Sequence, residues 1–129
     1  MQLKVRRAMV VHGLDGLDEI STTAPTQVSE VKEGEIRSYV LDPSDYGITA
    51  ATLSDISGGS PVDNALIITD ILQGKQGARR ELVLLNAAAA LVVAEKAGGI
   101  KEGLVFAAQS IDSGAALDKL DHLRRLSLH

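Results

Sequence analysis

Short apolar runs separated by Gly, Pro, Ser and Asp fill the chain up to about residue 60, and longer helical patterns follow. Residues 8–11 are apolar without alternation, which is typical of a strand buried on both faces of an α/β sheet. Residues 26–31 and 35–41 predict two more strands, joined by Lys32-Glu33-Gly34. Polar and apolar positions alternate in the second, so we expect a half-exposed antiparallel hairpin, ended by the turn-forming residues 42–47.

Four helices are predicted after the hairpin. The first begins at Ser60-Pro61, because serine caps a helix and proline suits its first turn, and it ends near Gln73-Gly74. The others are expected at about residues 78–97, 101–113 and 115–126. Alanines at 87–90 leave room for another element to approach closely. The last helix carries an inward stripe of leucines, at Leu117, Leu120 and Leu123.

These elements predict an α/β fold whose sheet is incomplete. One buried strand and one hairpin cannot form a sheet that is covered on both faces, and the helices outnumber the strands they could cover. Either a partner chain completes the sheet, or the sequence is part of a larger domain.

Composition narrows the class of protein. The chain has 129 residues, no cysteine and a formal charge of −4, so we expect one domain without disulfides or thiolate metal sites. Negative charge and only three aromatic residues argue against nucleic-acid binding. No apolar segment is long enough to span a membrane, and residues 1–8 lack the apolar core of a signal peptide. A soluble, cytoplasmic domain is expected.

The strongest candidate for chemistry is the loop of residues 12–21, which follows the first predicted strand. In open α/β sheets, ligands bind beyond the carboxyl ends of strands. Asp18 and Glu19 are adjacent carboxylates, the hard oxygen donors that suit Mg²⁺ together with water and substrate phosphates. Spacing alone leaves two alternatives open, a solvated acidic loop or carboxylates near a helix N-terminus. His12 could contact a ligand, but packing at the strand end is the simpler expectation.

Other polar motifs are assigned structural roles. Residues 57–60, Ser-Gly-Gly-Ser, match no phosphate-binding motif and are expected to form a tight turn with a helix cap. The histidines at 12, 122 and 129 are too scattered for a zinc site. Arg79-Arg80 and Arg124-Arg125 are expected to be solvated helix ends.

Four segments together resemble anthranilate phosphoribosyltransferases, of the nucleoside phosphorylase/phosphoribosyltransferase family. They are residues 7–21 (RAMVVHGLDGLDEIS), 42–47 (DPSDYG), 58–65 (GGSPVDNA) and 85–91 (LNAAAAL). The resemblance implies a partial phosphoribosyltransferase α/β domain, with buried strands and a hairpin covered by four helices. It also implies transfer of the 5-phosphoribosyl group from phosphoribosyl pyrophosphate to anthranilate in tryptophan biosynthesis, with Asp18 and Glu19 holding Mg²⁺ against the pyrophosphate.

The resemblance further implies that residues 1–129 correspond to the C-terminal portion of the catalytic domain. The family's N-terminal helical domain and Gly-Thr-Gly-Gly-Asp phosphate loop have no counterpart here, so the chain alone is expected to be inactive. Apolar helix faces that the missing part would cover should promote homo-oligomers. Two alternatives remain: a pyrimidine nucleoside phosphorylase-like domain, and a non-catalytic subunit that completes its sheet with a partner chain.

Overall fold

The computed structural model describes residues 4–128; residues 1–3 and His129, one of the three histidines considered above, lie outside this range. The α/β class is confirmed. Three strands are present, β1 (Arg7–Gly13), β2 (Thr26–Lys32) and β3 (Glu35–Leu41). A 3₁₀ turn at Pro43–Tyr46 follows, and then the helices α1 (Leu53–Ile56), α2 (Pro61–Leu72), α3 (Ala78–Val93), α4 (Ile100–Asp112) and α5 (Ala115–Ser127).

The strands form one antiparallel sheet in the order β1-β2-β3. The hairpin of β2 and β3 is confirmed, with a two-residue turn at Glu33-Gly34. Both turn residues have positive φ, 53° and 84°, the conformation that matches the twist of paired strands. The turn therefore fixes the register in which Lys32 pairs with Glu35.

Burial of β1 on both faces is wrong. Val10 is 68% exposed, and it lies on the outer face of the sheet, where Val40 is 54% exposed. Met9 and Val11 point to the inner face and pack against the core. Within residues 4–128 no element covers the outer face, so the apolar run of β1 is buried on one side only.

The four predicted helices are confirmed with shifts of a few residues at their ends. The structure adds the short helix α1, which the sequence pattern did not reveal. The helix predicted at residues 78–97 extends too far, because α3 ends at Val93 and Glu95 takes a positive φ of 59°. At the start of α2, Ser60 and Asp63 form the reciprocal capping box that this spacing favours.

The core lies between the inner face of the sheet and α3. Val28 and Leu41 from the sheet pack with Leu85, Ala88 and Val92, and all five are buried. On its other side, α3 contacts α4 and, with α2, forms a second apolar cluster. The close approach expected at the alanines of α3 is confirmed, because Gly103 of α4 lies directly against Ala88.

The pair Arg79-Arg80 is not a solvated helix end, contrary to the prediction. Arg80 is 5% exposed and donates hydrogen bonds to both carboxylate oxygens of Asp112, each at 3.0 Å. Arg79 donates to the carbonyl oxygen of Ser57 at 2.8 Å. The first turn of α3 faces the end of α4 and the loop after α1, so Arg80 is buried against protein, while Arg79 is half-buried and contacts the loop. Arg124, in contrast, is exposed as predicted.

We expect Asp112→Ala to lower the free energy of unfolding by about 2 kcal/mol, because a buried guanidinium would lose its charged partner. Water reaches the half-exposed Asp112, which keeps the loss below the about 3–5 kcal/mol of fully buried pairs. Urea denaturation measures this loss in the free energy of unfolding. Asp70→Ala, which breaks an exposed pair with Lys75, is the matched control and should cost less than about 1 kcal/mol. Equal losses in both variants would contradict the assignment.

Apolar side chains remain exposed on α2 and α5. Leu117 and Leu120 are half-buried as predicted, but Leu123 is 63% exposed, because burial along α5 ends at Asp121. A groove between the two helices is lined by α2 side chains, including Val62, together with Leu120. Among residues 4–128, none of the helices combines the length and apolarity that crossing a bilayer requires.

Candidate functional site

The loop that follows β1 packs tightly against the strand it leaves. The Gly13 amide donates to the Leu17 carbonyl oxygen at 2.9 Å, and the Leu14 amide donates to the Pro25 carbonyl oxygen at 2.9 Å. A Cβ at Gly13 would lie 2.5 Å from the Asp15 carboxylate and 3.3 Å from Ser21. A side chain at position 13 would displace the Asp15 carboxylate, so glycine suits the close approach by which the loop folds back beside the carboxyl end of β1.

Asp15 organises the interior of this loop. Its carboxylate accepts hydrogen bonds from the Ser21 hydroxyl at 2.7 Å, from the Thr23 hydroxyl, and from the Leu17 amide at 3.3 Å. The bonds from Thr23 and Ser21 favour the ionised form and hold the pKa of Asp15 below its ordinary value of 3.8. Asp15 therefore joins the two ends of the loop, a role that sequence reasoning did not assign.

We expect Asp15→Asn to lower the free energy of unfolding near neutral pH. Because the pKa is depressed in the folded protein, this contribution is fully present above pH 3.8 and disappears as the pH falls through the lower folded pKa. The difference between the variant and the unchanged chain should therefore shrink in acid, which urea denaturation at several pH values measures. Asp18→Asn, an exposed position, is the control and should leave stability near neutral pH unchanged. A pH-independent deficit would contradict the assignment.

The far end of the loop is held by Asn86 of α3. The Asn86 side-chain oxygen accepts from the Ile20 amide at 2.9 Å, and its nitrogen donates to the Ile20 carbonyl oxygen at 2.8 Å. The same nitrogen donates to the Leu82 carbonyl oxygen at 3.0 Å. Ile20 itself is 1% exposed and belongs to the core, so the loop is anchored by packing as well as by hydrogen bonds.

Asp18 and Glu19, the predicted metal ligands, lie between these two anchors. Asp18 is exposed and Glu19 is half-buried. In the described part of the chain, no hydrogen bond or ion pair engages either side chain, and no group of three or more His, Asp or Glu residues is placed to hold a metal ion. Two free, adjacent carboxylates fit Mg²⁺, which takes one or two protein carboxylates and fills its other positions with water and phosphate oxygens.

The structure places the remaining candidates away from Asp18 and Glu19 along the chain, at the end of β1 and at the start of α2. His12 is exposed on the outer face of the sheet, where it pairs in register with Gln27, so the expected packing of its ring is wrong. The turn at residues 57–60 has the predicted cap, and Asn64 holds it by accepting from the Gly59 amide at 2.9 Å and donating to its carbonyl oxygen at 3.3 Å.

Asn86 lies within the motif of residues 85–91, but the sequence analysis predicts no role for its side chain. One signal in the sequence points to it, since a lone amide side chain in the apolar segment of residues 82–93 needs a hydrogen-bond partner when it packs. The identity of that partner could not be deduced, because Ile20 lies 66 residues away along the chain.

Comparisons with known proteins identify the family of this chain and agree with its fold. The family model described as glycosyl transferase family, a/b domain, matches residues 1–117. An anthranilate phosphoribosyltransferase of Thermoanaerobacter sp. (strain X514) is 52% identical over 131 residues, which cover 98% of this chain and 39% of that protein. The chain thus spans well under half the length of this relative.

Solved structures of the anthranilate phosphoribosyltransferase of Saccharomyces cerevisiae share the fold at 30% identity. The complex with 4-fluoroanthranilate has a TM-score of 0.81 and covers 90% of this chain and 34% of that one. The complex with PRPP and Mg has a TM-score of 0.79 and covers 88% and 33%. The chain therefore belongs to the glycosyl transferase family defined by this a/b domain, and the resemblance to anthranilate phosphoribosyltransferases that four sequence segments indicated is confirmed.

Proposed function

We propose that this chain supplies the metal-binding carboxylates, Asp18 and Glu19, of an anthranilate phosphoribosyltransferase. The reaction transfers the 5-phosphoribosyl group of phosphoribosyl pyrophosphate to the amine of anthranilate and releases pyrophosphate, a step of tryptophan biosynthesis. The observation that carries the proposal is a pair of adjacent carboxylates, with no hydrogen-bond or ion-pair partner among residues 4–128, on a loop anchored on both sides. Relatives that are described with PRPP, Mg and an anthranilate analogue support the choice of substrates.

The two carboxylates would act by holding Mg²⁺, which neutralises charge on the departing pyrophosphate. Asp18 and Glu19 supply two anionic donors from consecutive residues, so the remaining positions around the ion stay open to phosphate oxygens. Asp15 is also a carboxylate, but its oxygens already accept hydrogen bonds from Ser21, Thr23 and Leu17. Within the loop, the geometry thus favours Asp18 and Glu19, rather than Asp15, as ligands.

The rest of the substrate pocket is proposed to come from outside this chain, which we take as the C-terminal portion of the catalytic domain. We therefore expect the 129-residue chain alone to be inactive. The test is a chimera in which this chain replaces the matching segment of the Thermoanaerobacter relative. We expect the chimera to consume anthranilate, followed by its fluorescence, and to release pyrophosphate only when phosphoribosyl pyrophosphate and Mg²⁺ are present.

Two outcomes would overturn the proposal. Phosphorolysis of a pyrimidine nucleoside by the chimera, without turnover of phosphoribosyl pyrophosphate, would favour the nucleoside phosphorylase alternative. A folded but inactive chimera would favour a non-catalytic subunit, and co-purification with a strand-donating partner would then identify that role. Parallel circular dichroism spectra of the chimera and the unchanged relative establish that the chimera is folded.

Self-association and location complete the proposal. The exposed apolar side chains of α2 and α5 support a homo-oligomer, which sedimentation velocity at increasing protein concentration tests. A monomer at all concentrations would contradict it. A cytoplasmic location remains a prediction, as expected for a biosynthetic enzyme that uses soluble phosphorylated substrates.

A further inference from the structure

We infer that Asn86 is a positioning residue for the metal-binding carboxylates: its carboxamide fixes the peptide that joins Glu19 to Ile20 and thereby sets where the Asp18 and Glu19 side chains project. This inference rests on the proposed function, because it gives Asn86 a purpose only if those carboxylates hold a divalent cation. It assigns a role to a residue of α3 that contacts neither carboxylate.

The geometry of the amide group carries the inference. The Ile20 amide belongs to the same planar peptide as the Glu19 carbonyl, so a hydrogen bond to that amide restrains the backbone rotation of Glu19. The Ile20 carbonyl is held by the other end of the same carboxamide. Two bonds from one rigid planar group fix the orientation as well as the position of this segment, which a single bond would not do.

The identity of the side chain is specified by its three partners. The Ile20 amide needs an acceptor, whereas the carbonyl oxygens of Ile20 and Leu82 both need donors. Only one orientation of the amide satisfies all three, and an aspartate would place an oxygen against two carbonyl oxygens. The bond to Leu82, one turn earlier in α3, also holds the carboxamide in place on the helix.

The support beneath Asn86 is rigid. It lies between Leu85 and Ala88, which are both 0% exposed in the core against the sheet. Asn86 therefore connects the hydrophobic core to the loop through a side chain that is held by three hydrogen bonds. Removing groups that hydrogen-bond metal-ligating side chains directly typically lowers metal affinity about 10- to 100-fold. Asn86 acts through the backbone of the neighbouring residue, so we expect an effect at the lower end of that range.

The test measures binding of Mn²⁺, used alone as a probe, to the 129-residue chain by the electron paramagnetic resonance signal of the free ion. We expect Asn86→Ala to weaken binding about tenfold. Asn86→Asp supplies the sharper contrast, because it has nearly the same shape and adds a negative charge. Electrostatic attraction alone would tighten binding in this variant, whereas loss of positioning weakens it. Thermal unfolding measured in parallel shows whether each variant is folded.

Asn64→Ala is the matched control. Asn64 holds the Gly59 backbone through the same two kinds of bond, but at the turn before α2 rather than at the acidic loop. We expect it to leave Mn²⁺ affinity within about twofold. Hydrogen exchange adds a readout that does not depend on the metal, since the Ile20 amide should exchange faster in both Asn86 variants and stay protected in Asn64→Ala.

The outcomes separate the inference from the function beneath it. If the Asp18→Ala/Glu19→Ala variant binds Mn²⁺ as well as the unchanged chain does, the metal site of the proposed function is wrong. The positioning role of Asn86 is then wrong as well. Suppose instead that the double variant loses Mn²⁺ binding, but a folded Asn86→Asp variant binds Mn²⁺ within about twofold of the unchanged chain or more tightly. The carboxylates are then supported as ligands, and the positioning role of Asn86 is overturned. In the chimera, positioning predicts a higher Mg²⁺ concentration for half-maximal turnover, with kcat largely restored at saturation.

Discussion

Replacing both Asp18 and Glu19 by alanine in the chimera is expected to lower the turnover of phosphoribosyl pyrophosphate at least about a thousandfold, equivalent to about 4 kcal/mol of transition-state stabilisation. The loss should be this large because pyrophosphate leaves with several negative charges, and the variant would no longer hold the cation that offsets them. Initial rates of anthranilate consumption at fixed Mg²⁺ measure the effect.

The control for this double variant removes the same number of negative charges from the hairpin turn of the sheet. Glu33 and Glu35 are exposed at the hairpin turn, at the opposite end from the acidic loop. Glu33→Ala/Glu35→Ala should keep turnover within about twofold, because loss of exposed charge far from the site changes little. A folded Asp18→Ala/Glu19→Ala variant with intact turnover would refute the enzymatic role of the loop.

Enlarging Gly103 is expected to destabilise the fold strongly, because its added atoms would meet the backbone of α3. A Cβ at this position would lie 2.8 Å from the Ala88 carbonyl oxygen and 2.9 Å from its Cα. These are backbone atoms, so no side-chain rotation can relieve the contact, and α3 and α4 would have to separate. Since this crossing joins the two apolar clusters, the separation would disturb both.

Two effects oppose each other in Gly103→Ala. Helix propensity favours alanine over glycine by about 1 kcal/mol, whereas overpacking costs about 1–3 kcal/mol. Because the contact is with backbone atoms, we expect the steric cost to prevail, with a net loss of up to about 2 kcal/mol for alanine and a larger loss for valine, measured by urea denaturation. Gly98→Ala is the control, because the nearest atom to its added Cβ is 3.9 Å away. A Gly103→Ala variant as stable as the control would contradict the packing described here.

Part of the site could be predicted from the sequence. The candidate carboxylates, Asp18 and Glu19, were chosen because they follow a strand, and the structure does place them in a loop beside the end of β1. Their role as metal ligands stays a prediction. The supports of the loop could not be predicted, because Asp15 acts through residues across the loop and Asn86 acts through a contact between distant segments.

The sequence by itself determined the local elements. The hairpin turn within residues 32–34, the helix cap at Ser60 and the apolar periods of the helices are set by interactions among neighbouring residues, so they were predicted nearly where they occur. Even the close contact at Ala88 was predicted from the small side chains of α3. The four motifs carried the family resemblance for the same reason, since each is a short continuous segment.

Only the tertiary structure decided which faces meet. A run of apolar residues does not show whether one or both faces of β1 are covered, and Val10 proved to be exposed. Arginine at a helix start is usually solvated, yet Arg80 is buried because α4 brings Asp112 to it. Such outcomes depend on contacts between residues far apart in sequence. These contacts form, and contribute to stability, only when the helices and the sheet pack together.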